Sequence, residues 1–373
     1  MTDSPSRDQL EAERLDPDQR LTERRTRRDD EDYRGWCESS YGMVEIGEEQ
    51  FHPADVLERM APDAARRGRD ECSAMIRTDL EQAVCEQFPA PIAVPFHSFL
   101  EGHRLSLNRL YRLRDTWESL IRLLAALALS EAAAISTSLR PLILRDGMGQ
   151  AWRRCRRRDL LSDKLTVRIG LIEGVLHRAH ELGINLQFAS LLPLDVLGEI
   201  RRLNVVRNCF SHASAKSEVQ ARAIIEDAYP VFREVLLDLR DMQSIDLIRI
   251  HSIRAGGKAE IERLNGHAQS RRISELALDV DAAMLVMSAT SADGMDRVFA
   301  RVGELTLDLS PFLYAADNDT GHLTSVWGFK FKRDNAWHME CVADSTTKTS
   351  PSGPHEDRLT CFEGLLERVG EDA

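Results

Sequence analysis

The residues best suited to chemistry form a polar run near the middle of the chain. Arg207 and Asn208 are adjacent, and His212 follows with four residues between it and Arg207. An imidazole accepts and donates protons near neutral pH, because its ordinary pKa is about 6.5. A guanidinium carries a permanent charge and a planar fork of donors that suits phosphate oxygens. These residue types match the cleavage of a phosphodiester by a neighbouring hydroxyl, in which protons move and a phosphorane needs positive charge.

The same run has the periodicity of an amphipathic helix. Apolar Ile200, Leu203, Val206 and Phe210 recur at three- and four-residue steps. At about 100° per residue, Val206 and Phe210 point away from a polar arc. That arc comprises Asn204, Arg207, Asn208, Ser211 and His212. The sequence therefore predicts a helix that packs by its apolar face and gathers its polar groups on another.

The run from Leu203 to His212, LNVVRNCFSH, resembles the motif of the HEPN domain family. That motif is an arginine, commonly followed by asparagine, and then a histidine with four to six residues between arginine and histidine. The resemblance covers roughly residues 98–242. It implies a small α-helical bundle that often dimerises. Many members are metal-independent endoribonucleases of toxin, anti-phage and RNA-processing systems, whereas others have lost activity and only bind.

The resemblance implies a role for each motif residue. His212 would transfer protons, Arg207 would hold the phosphate, and Asn208 would orient the motif helix or the phosphate. One helix supplies a single histidine, whereas acid and base ask for two groups. The family solves this by apposing two motif helices, so we expect a homodimer through the motif helix, acting on RNA without metal or cofactor. The alternative is a non-catalytic helical interaction or dimerisation module of a regulatory or defence complex, in which Arg207 pairs with an acid such as Glu199.

A second candidate is a run of arginines upstream of the motif. The segment Trp152 to Arg158 carries five of them: Arg153, Arg154, Arg156, Arg157 and Arg158. Such a cluster could hold RNA phosphates, but it could equally be a solvated face or a site for an acidic partner. The charge distribution favours RNA binding in this part of the chain. Residues 98–242 carry 22 basic and 17 acidic side chains, although the whole protein has a formal charge of −12.

Changes in composition divide the chain into five segments. Residues 1–42 are dense in charge and predicted to be disordered or a frayed helix, and residues 43–97 form a helical accessory region ended by a proline-rich connector. Residues 98–242 form the HEPN-like helical domain, in which residues 106–134 are a long helix and Gly183 ends the helix that follows the arginine run. Residues 243–345 form a small antiparallel β domain, with one strand over residues 283–288 and a hairpin turn at Asp334 and Asn335, and residues 346–373 form an acidic tail. The predicted fold class is therefore α+β and multidomain. The β domain is where we expect a protein partner or trigger to bind.

The remaining features predict an ordinary reducing environment without metal. Seven cysteines are scattered without the paired short spacings of zinc or redox motifs, and no apolar run is long enough to span a bilayer. We therefore expect a cytoplasmic protein with no membrane contact. His177 and His180 are expected to be surface histidines. Asp317 begins a run like a calcium loop, but Gly328 stands where the closing glutamate should be, so a turn is expected.

Overall fold

The computed structural model divides the chain into two compact units. One comprises residues 1–82 with 236–238, and the other residues 83–235 with 239–373. The residues described are 17–102, 104–135, 139, 141–145, 152–188, 191–211, 217–254, 258–268, 273–277, 295–303, 305–317, 323–334, 336–351, 355 and 358–366.

Nine α-helices lie within these ranges. In chain order, α1 to α9 are Pro17–Tyr41, Pro53–Met60, Pro62–Glu86, Ala90–Leu100, Ser106–Ile135, Arg157–Leu160, Leu165–Glu181, Leu194–Ser211 and Glu218–Asp238. Gly183 follows α7 with a φ of +64°, as predicted for the residue that ends this helix. No helix among the described residues is long and apolar enough to cross a membrane.

Thirteen β-strands accompany the helices in the same ranges. In chain order, β1 to β13 are Val44–Ile46, Glu49–Phe51, Ile143–Arg145, Trp152–Arg154, Asp246–Arg254, Lys258–Arg263, Ile273–Ala277, Asp296–Val302, Leu305–Asp308, Leu313–Asp317, Thr324–Arg333, Ala336–Cys341 and Thr347–Pro351. β1 pairs with β2 and β3 with β4, each as a two-stranded antiparallel ribbon.

The first unit contains the charged N-terminal segment, which the sequence predicted to be disordered or a frayed helix. From Pro17 onward this segment is helical, and it buries Tyr33 and Cys37 against Ala54 and Cys72. Arg25 and Arg28 both bind the carboxylate of Asp238, at 2.7 Å. Internal ion pairs and one apolar stripe therefore order a helix whose mean composition is strongly polar. Residues before Pro17 lie outside the described ranges.

The proline-rich segment was wrongly predicted to exclude a helix. Residues 90–100 form α4, with Pro91 in its first turn and Pro95 inside it. A proline costs no backbone hydrogen bond in the first turn, whereas Pro95 does lose one. Burial of Ile92, Phe96 and Phe99 offsets that loss, because each side chain is fully removed from solvent.

The C-terminal half of the second unit is an antiparallel sheet, as the sequence predicts. Its strand order is β13-β12-β11-β10-β8-β5-β6-β7, and β9 pairs with β8. Arg333 pairs with Ala336 across the predicted hairpin turn, where Asp334 has a φ of +49°. The predicted strand over residues 283–288 lies outside the described residues. Alternating apolar side chains thus located most of this sheet correctly.

The sheet extends beyond the predicted domain end at residue 345. β13 pairs along β12, and Leu359, Phe362 and Leu365 are buried, so residues 347–351 and 358–366 are part of the fold and not of a loose tail. The sheet also belongs to the same compact unit as helix α5. The predicted separation at residue 242 therefore divides parts that pack together. Helix α5 buries apolar side chains on most of its faces and contacts both helices and strands of this unit.

Helix α7 and hairpin β3–β4 approach closely through glycine. A Cβ atom at Gly174 would lie 1.7 Å from the carbonyl oxygen of Ile143, so the backbones meet where only glycine fits. We expect Gly174→Ala to lower the free energy of unfolding by at least about 2 kcal/mol, since a clash with backbone cannot relax cheaply. Urea titration followed by circular dichroism measures this change.

Gly198→Ala is the matched control, because that glycine is also helical and has nothing within 4 Å of its added Cβ. It should raise the free energy of unfolding by about 0.5–1 kcal/mol through helix propensity. Equal effects of the two substitutions would contradict the close approach.

Candidate functional site

The motif helix α8 packs by a different face from the one predicted. Ile200 and Leu203 are buried as expected, but Asn204 is only 2% exposed, whereas Val205 and Val206 are 61% and 42% exposed. Arg207 and Asn208 are half-buried. The polar arc therefore turns partly toward the protein interior, where charged partners on α5 offset the cost of desolvation. Two valines are left on the outside.

Arg207 is held by two neighbours. Its Nε donates to Glu118 Oε1 at 3.0 Å and its Nη2 donates to the same oxygen, while Nη1 donates to Asn208 Oδ1 at 2.9 Å. The acidic partner of Arg207 is thus Glu118 on α5, and not Glu199, which instead binds Arg202. Asn208 orients the guanidinium from its own helix. The two motif residues therefore act as one positioned group.

Glu118 is shared among three arginines. Besides Arg207, its carboxylate accepts from Arg122 Nη2 at 3.0 Å and lies 3.7 Å from Arg114 Nε. Side-chain exposure of Glu118 is 14%, so these interactions are only partly screened by water. One negative charge therefore faces three positive ones at the motif helix.

The network continues into the sheet. Arg122 also donates to Glu340 on β12, and Lys330 on β11 donates to the other oxygen of Glu340. Burial alone would raise the pKa of Glu340, but Arg122 and Lys330 hold it below its ordinary value. Asp115 binds Arg114 at 2.7 Å and accepts from Ser345 at 3.2 Å. Carboxylates and cations therefore alternate from the motif helix to the sheet.

A solvent-open apolar groove runs beside Arg207. Helices α5, α8 and α9 line it with Leu113, Arg114, Trp117, Leu203, Val206, Arg207, Ala228 and Phe232. Two guanidinium-bearing residues thus border an otherwise apolar surface. The groove itself can receive an apolar or planar group, with Arg114 and Arg207 at its border.

His212 lies outside the described residues, and the side chains of Cys209, Phe210 and Ser211 are likewise not described. The structure therefore brings together Arg207 and Asn208 of the three predicted catalytic residues.

The predicted arginine cluster lies on another element. Arg153 and Arg154 are on strand β4, Arg156 precedes the short helix α6, and Arg157 and Arg158 begin it. Arg153 binds both oxygens of Asp159, at 2.7 and 2.6 Å, and Arg157 lies 3.4 Å from Glu363. Burial would raise the pKa of Asp159, but its bonds from Arg153 and from the backbone of Arg156 lower it. Arg153 therefore stabilises the local structure through Asp159. The other four arginines are exposed.

The minor candidates have structural partners. Asp317 ends β10 and binds the buried Arg249, and residues 318–322 of the calcium-like run lie outside the described residues. His177 is half-exposed and stacks on Trp152, while His180 is exposed. Among the described residues, no group of three or more His, Cys, Asp or Glu side chains could hold a metal ion.

Comparison of the chain with protein-family models, with curated proteins and with solved structures finds no match.

The residues that sequence reasoning missed belong to the charge network around Arg207. Arg114, Glu118 and Arg122 recur at four-residue steps on α5, in a helix that is otherwise largely buried. Such a charged stripe on a buried helix predicts an internal charge network, so this signal was present. Glu340 and Lys330 lie more than 200 residues after Arg122 in the sequence and offered no comparable signal.

The Glu340 carboxylate makes stability pH-dependent. Its folded pKa is depressed below the ordinary 4.5, so its stabilisation is complete above that value and is lost as the pH falls through the folded pKa. We expect Glu340→Gln to lower the free energy of unfolding at pH 7 by about 1.5–3 kcal/mol, as for bonds to charged groups. The variant should also lose less stability than the wild type between about pH 5 and pH 3. Urea titrations at several pH values measure both.

Glu363→Gln serves as the control, because Glu363 pairs with Arg157 on the surface at 3.4 Å. It should change stability by less than about 1 kcal/mol. If the free energies of unfolding of the wild type and of Glu340→Gln changed in parallel with pH, the Glu340 carboxylate would have no role in the pH dependence of stability.

Proposed function

We propose that the protein is a metal-independent endoribonuclease of HEPN type that acts as a toxin or anti-phage defence effector. The observation that carries this proposal is the positioning of Arg207. Its guanidinium is fixed by Glu118 and Asn208 and borders a solvent-open groove together with Arg114. A fixed guanidinium pair is suited to stabilising charge on a phosphorane, because it needs little reorganisation during the reaction.

The charge balance supports phosphate binding despite the ion pair at Arg207. Five cations, Arg112, Arg114, Arg122, Arg207 and Lys330, face the three carboxylates Asp115, Glu118 and Glu340. Glu118 serves three arginines with one charge, so the site keeps an excess of positive charge. A phosphate entering the groove adds the negative charge that the cluster lacks, and it does not have to displace Glu118 completely.

In this proposal each motif residue has a separate task. Arg207 binds the scissile phosphate, Asn208 holds the guanidinium in place, and His212 transfers the protons. The substrate's 2′-hydroxyl attacks the phosphorus and breaks its bond to the 5′-oxygen, which takes a proton as it leaves. The products are a 2′,3′-cyclic phosphate and a 5′-hydroxyl.

His212→Ala should reduce RNA cleavage by about 10²–10⁴-fold, as expected when general acid–base catalysis is lost. Arg207→Lys should also impair cleavage, because lysine keeps the charge but lacks the planar fork. Cleavage should proceed in EDTA and should stop at a nucleotide whose 2′-hydroxyl is replaced by hydrogen. Gel analysis of end-labelled RNA measures rate and product ends together.

Arg202→Lys is the control on the same helix, since Arg202 binds Glu199 at the surface. It should cleave like the wild type. Products with a 5′-phosphate, formed only with divalent metal, would contradict the mechanism. Wild-type and His212→Ala proteins that leave RNA equally intact under activating conditions would contradict the enzyme itself.

The exposed valines of α8 support a homodimer through the motif helix. Val205 and Val206 are adjacent and largely exposed, and Val206 lines the groove beside Arg207. Exposed apolar side chains that adjoin one another favour contact with a partner surface. A second copy packed there would bring a second motif helix close to the first, as two proton-transfer groups require.

We expect Val205→Glu to convert a dimer into a monomer and to abolish cleavage. Burying an unpaired carboxylate at an interface costs several kcal/mol, enough to shift the dimer equilibrium at micromolar concentration. Light scattering and the cleavage assay measure the two effects. Met60→Glu, a substitution of another exposed apolar residue, should change neither. A monomeric wild type that still cleaves RNA would exclude the composite site.

The second candidate function is a non-catalytic helical interaction module of a regulatory or defence complex. The ion pair between Arg207 and Glu118 specifically favours it, because an arginine that only holds two helices together needs no substrate. The link from Glu118 through Arg122 to Glu340 would let a protein bound at the sheet alter the motif helix in either case. The His212→Ala comparison separates the two functions.

A further inference from the structure

Hairpin β3–β4 has one inner and one outer face. Leu144 is buried toward α7, where Gly170 and Gly174 admit the hairpin backbone. The partner of Leu144 across the hairpin is Arg153, and the neighbouring pair is Arg145 with Trp152. Because side chains alternate along a strand, Arg145, Trp152 and Arg154 lie on the outer face. All three are exposed.

Trp152 is unusual among the tryptophans of this chain. All five are within the described residues, and Trp152 alone is exposed, at 40%. Its ring is nearly parallel to that of His177, with centroids 4.7 Å apart and planes at 12°. The Arg145 guanidinium lies 5.7 Å from the ring centroid. The hairpin therefore holds a partly exposed aromatic side chain that stacks on one imidazole and has one guanidinium nearby.

The surroundings of Trp152 are strongly basic. Arg154, Arg156, Arg157 and Arg158 follow it within six residues and are exposed. Among the described residues, three carboxylates of this region already have partners: Asp159 is buried against Arg153, Glu363 pairs with Arg157, and Glu181 lies 3.2 Å from His177. An exposed aromatic ring within a basic surface is the combination that binds unpaired bases and their phosphates together.

We propose that Trp152 is a stacking platform for an unpaired base of single-stranded RNA, with Arg145, Arg154 and Arg158 contacting the flanking phosphates. The choice of RNA as ligand rests on the proposed function, but stacking itself requires only binding. A duplex hides its base faces, so the platform selects single strands. An acidic peptide could bind the arginines but would gain nothing from the ring.

Binding of a fluorescein-labelled 12-nucleotide oligouridylate tests this inference. It is measured by anisotropy in EDTA with full-length His212→Ala protein, so that the RNA stays intact. Trp152→Ala should weaken binding by about tenfold or more, as is typical for the loss of one base stack. Trp152→Phe should retain most of the affinity because it keeps a ring. The oligonucleotide should also quench tryptophan fluorescence, and Trp152→Phe should remove that quenching.

Tyr41→Ala removes another exposed aromatic side chain, at the end of α1, and should bind as the parent does. Arg154→Gln with Arg158→Gln should flatten the slope of log affinity against log salt by about 0.7 for each lost contact. Unchanged affinity of a folded Trp152→Ala variant, equal binding of a duplex of the same length, or no oligonucleotide binding at low salt would each overturn the proposal. If the wild type did not cleave RNA but still bound the oligonucleotide through Trp152, the proposed ribonuclease activity would be refuted. The stacking platform would then still be supported.

Discussion

The ion pairs of the Glu118 carboxylate join the main elements of the second unit. It binds Arg207 of the motif helix and Arg122 of its own helix, and Arg122 in turn reaches Glu340 on the sheet. Because Glu118 is 14% exposed, loss of its charge would leave several guanidinium groups short of a partner in a poorly solvated place. The motif helix, the central helix and the sheet are therefore joined by charge as well as by apolar packing.

The network also explains how an acidic protein can present a basic site. The formal charge of the whole chain is −12, yet cations outnumber carboxylates around Glu118 and around Trp152. Electrostatic attraction acts over about 10 Å at moderate salt, so the local surplus matters more to a bound phosphate than the total charge. The acidic remainder would limit indiscriminate binding to nucleic acid and so favour ligands that also use the groove or the aromatic ring.

Local sequence patterns predicted the positions of helices and strands better than they predicted which side of a helix is buried. The long helix α5, the glycine after α7 and the hairpin at Asp334 follow from periodicity and turn chemistry, which depend on neighbouring residues. Arg207 contacts Glu118, about 90 residues earlier, so the sequence of α8 alone predicted the burial of Ile200 and Leu203 but not the inward position of Asn204 and Arg207. The same reason applies to α4 and to the C-terminal strand β13, since burial against distant elements outweighed their prolines and polar residues.

Helix α7 holds the basic hairpin, the motif helix and the sheet by different means. Glycines 170 and 174 let the hairpin backbone approach it, and Glu173 binds Arg201 of the motif helix. Arg168 is fully buried, which lowers its pKa to about 9, and it donates to the backbone carbonyls of Phe329 and Lys330 on β11. Since β11 also carries Lys330, which binds Glu340, a displacement of this strand would act on the motif helix through both α5 and α7. The sheet is therefore linked to the motif helix twice, once through Glu340, Arg122 and Glu118 and once through Arg168 and Glu173 of α7.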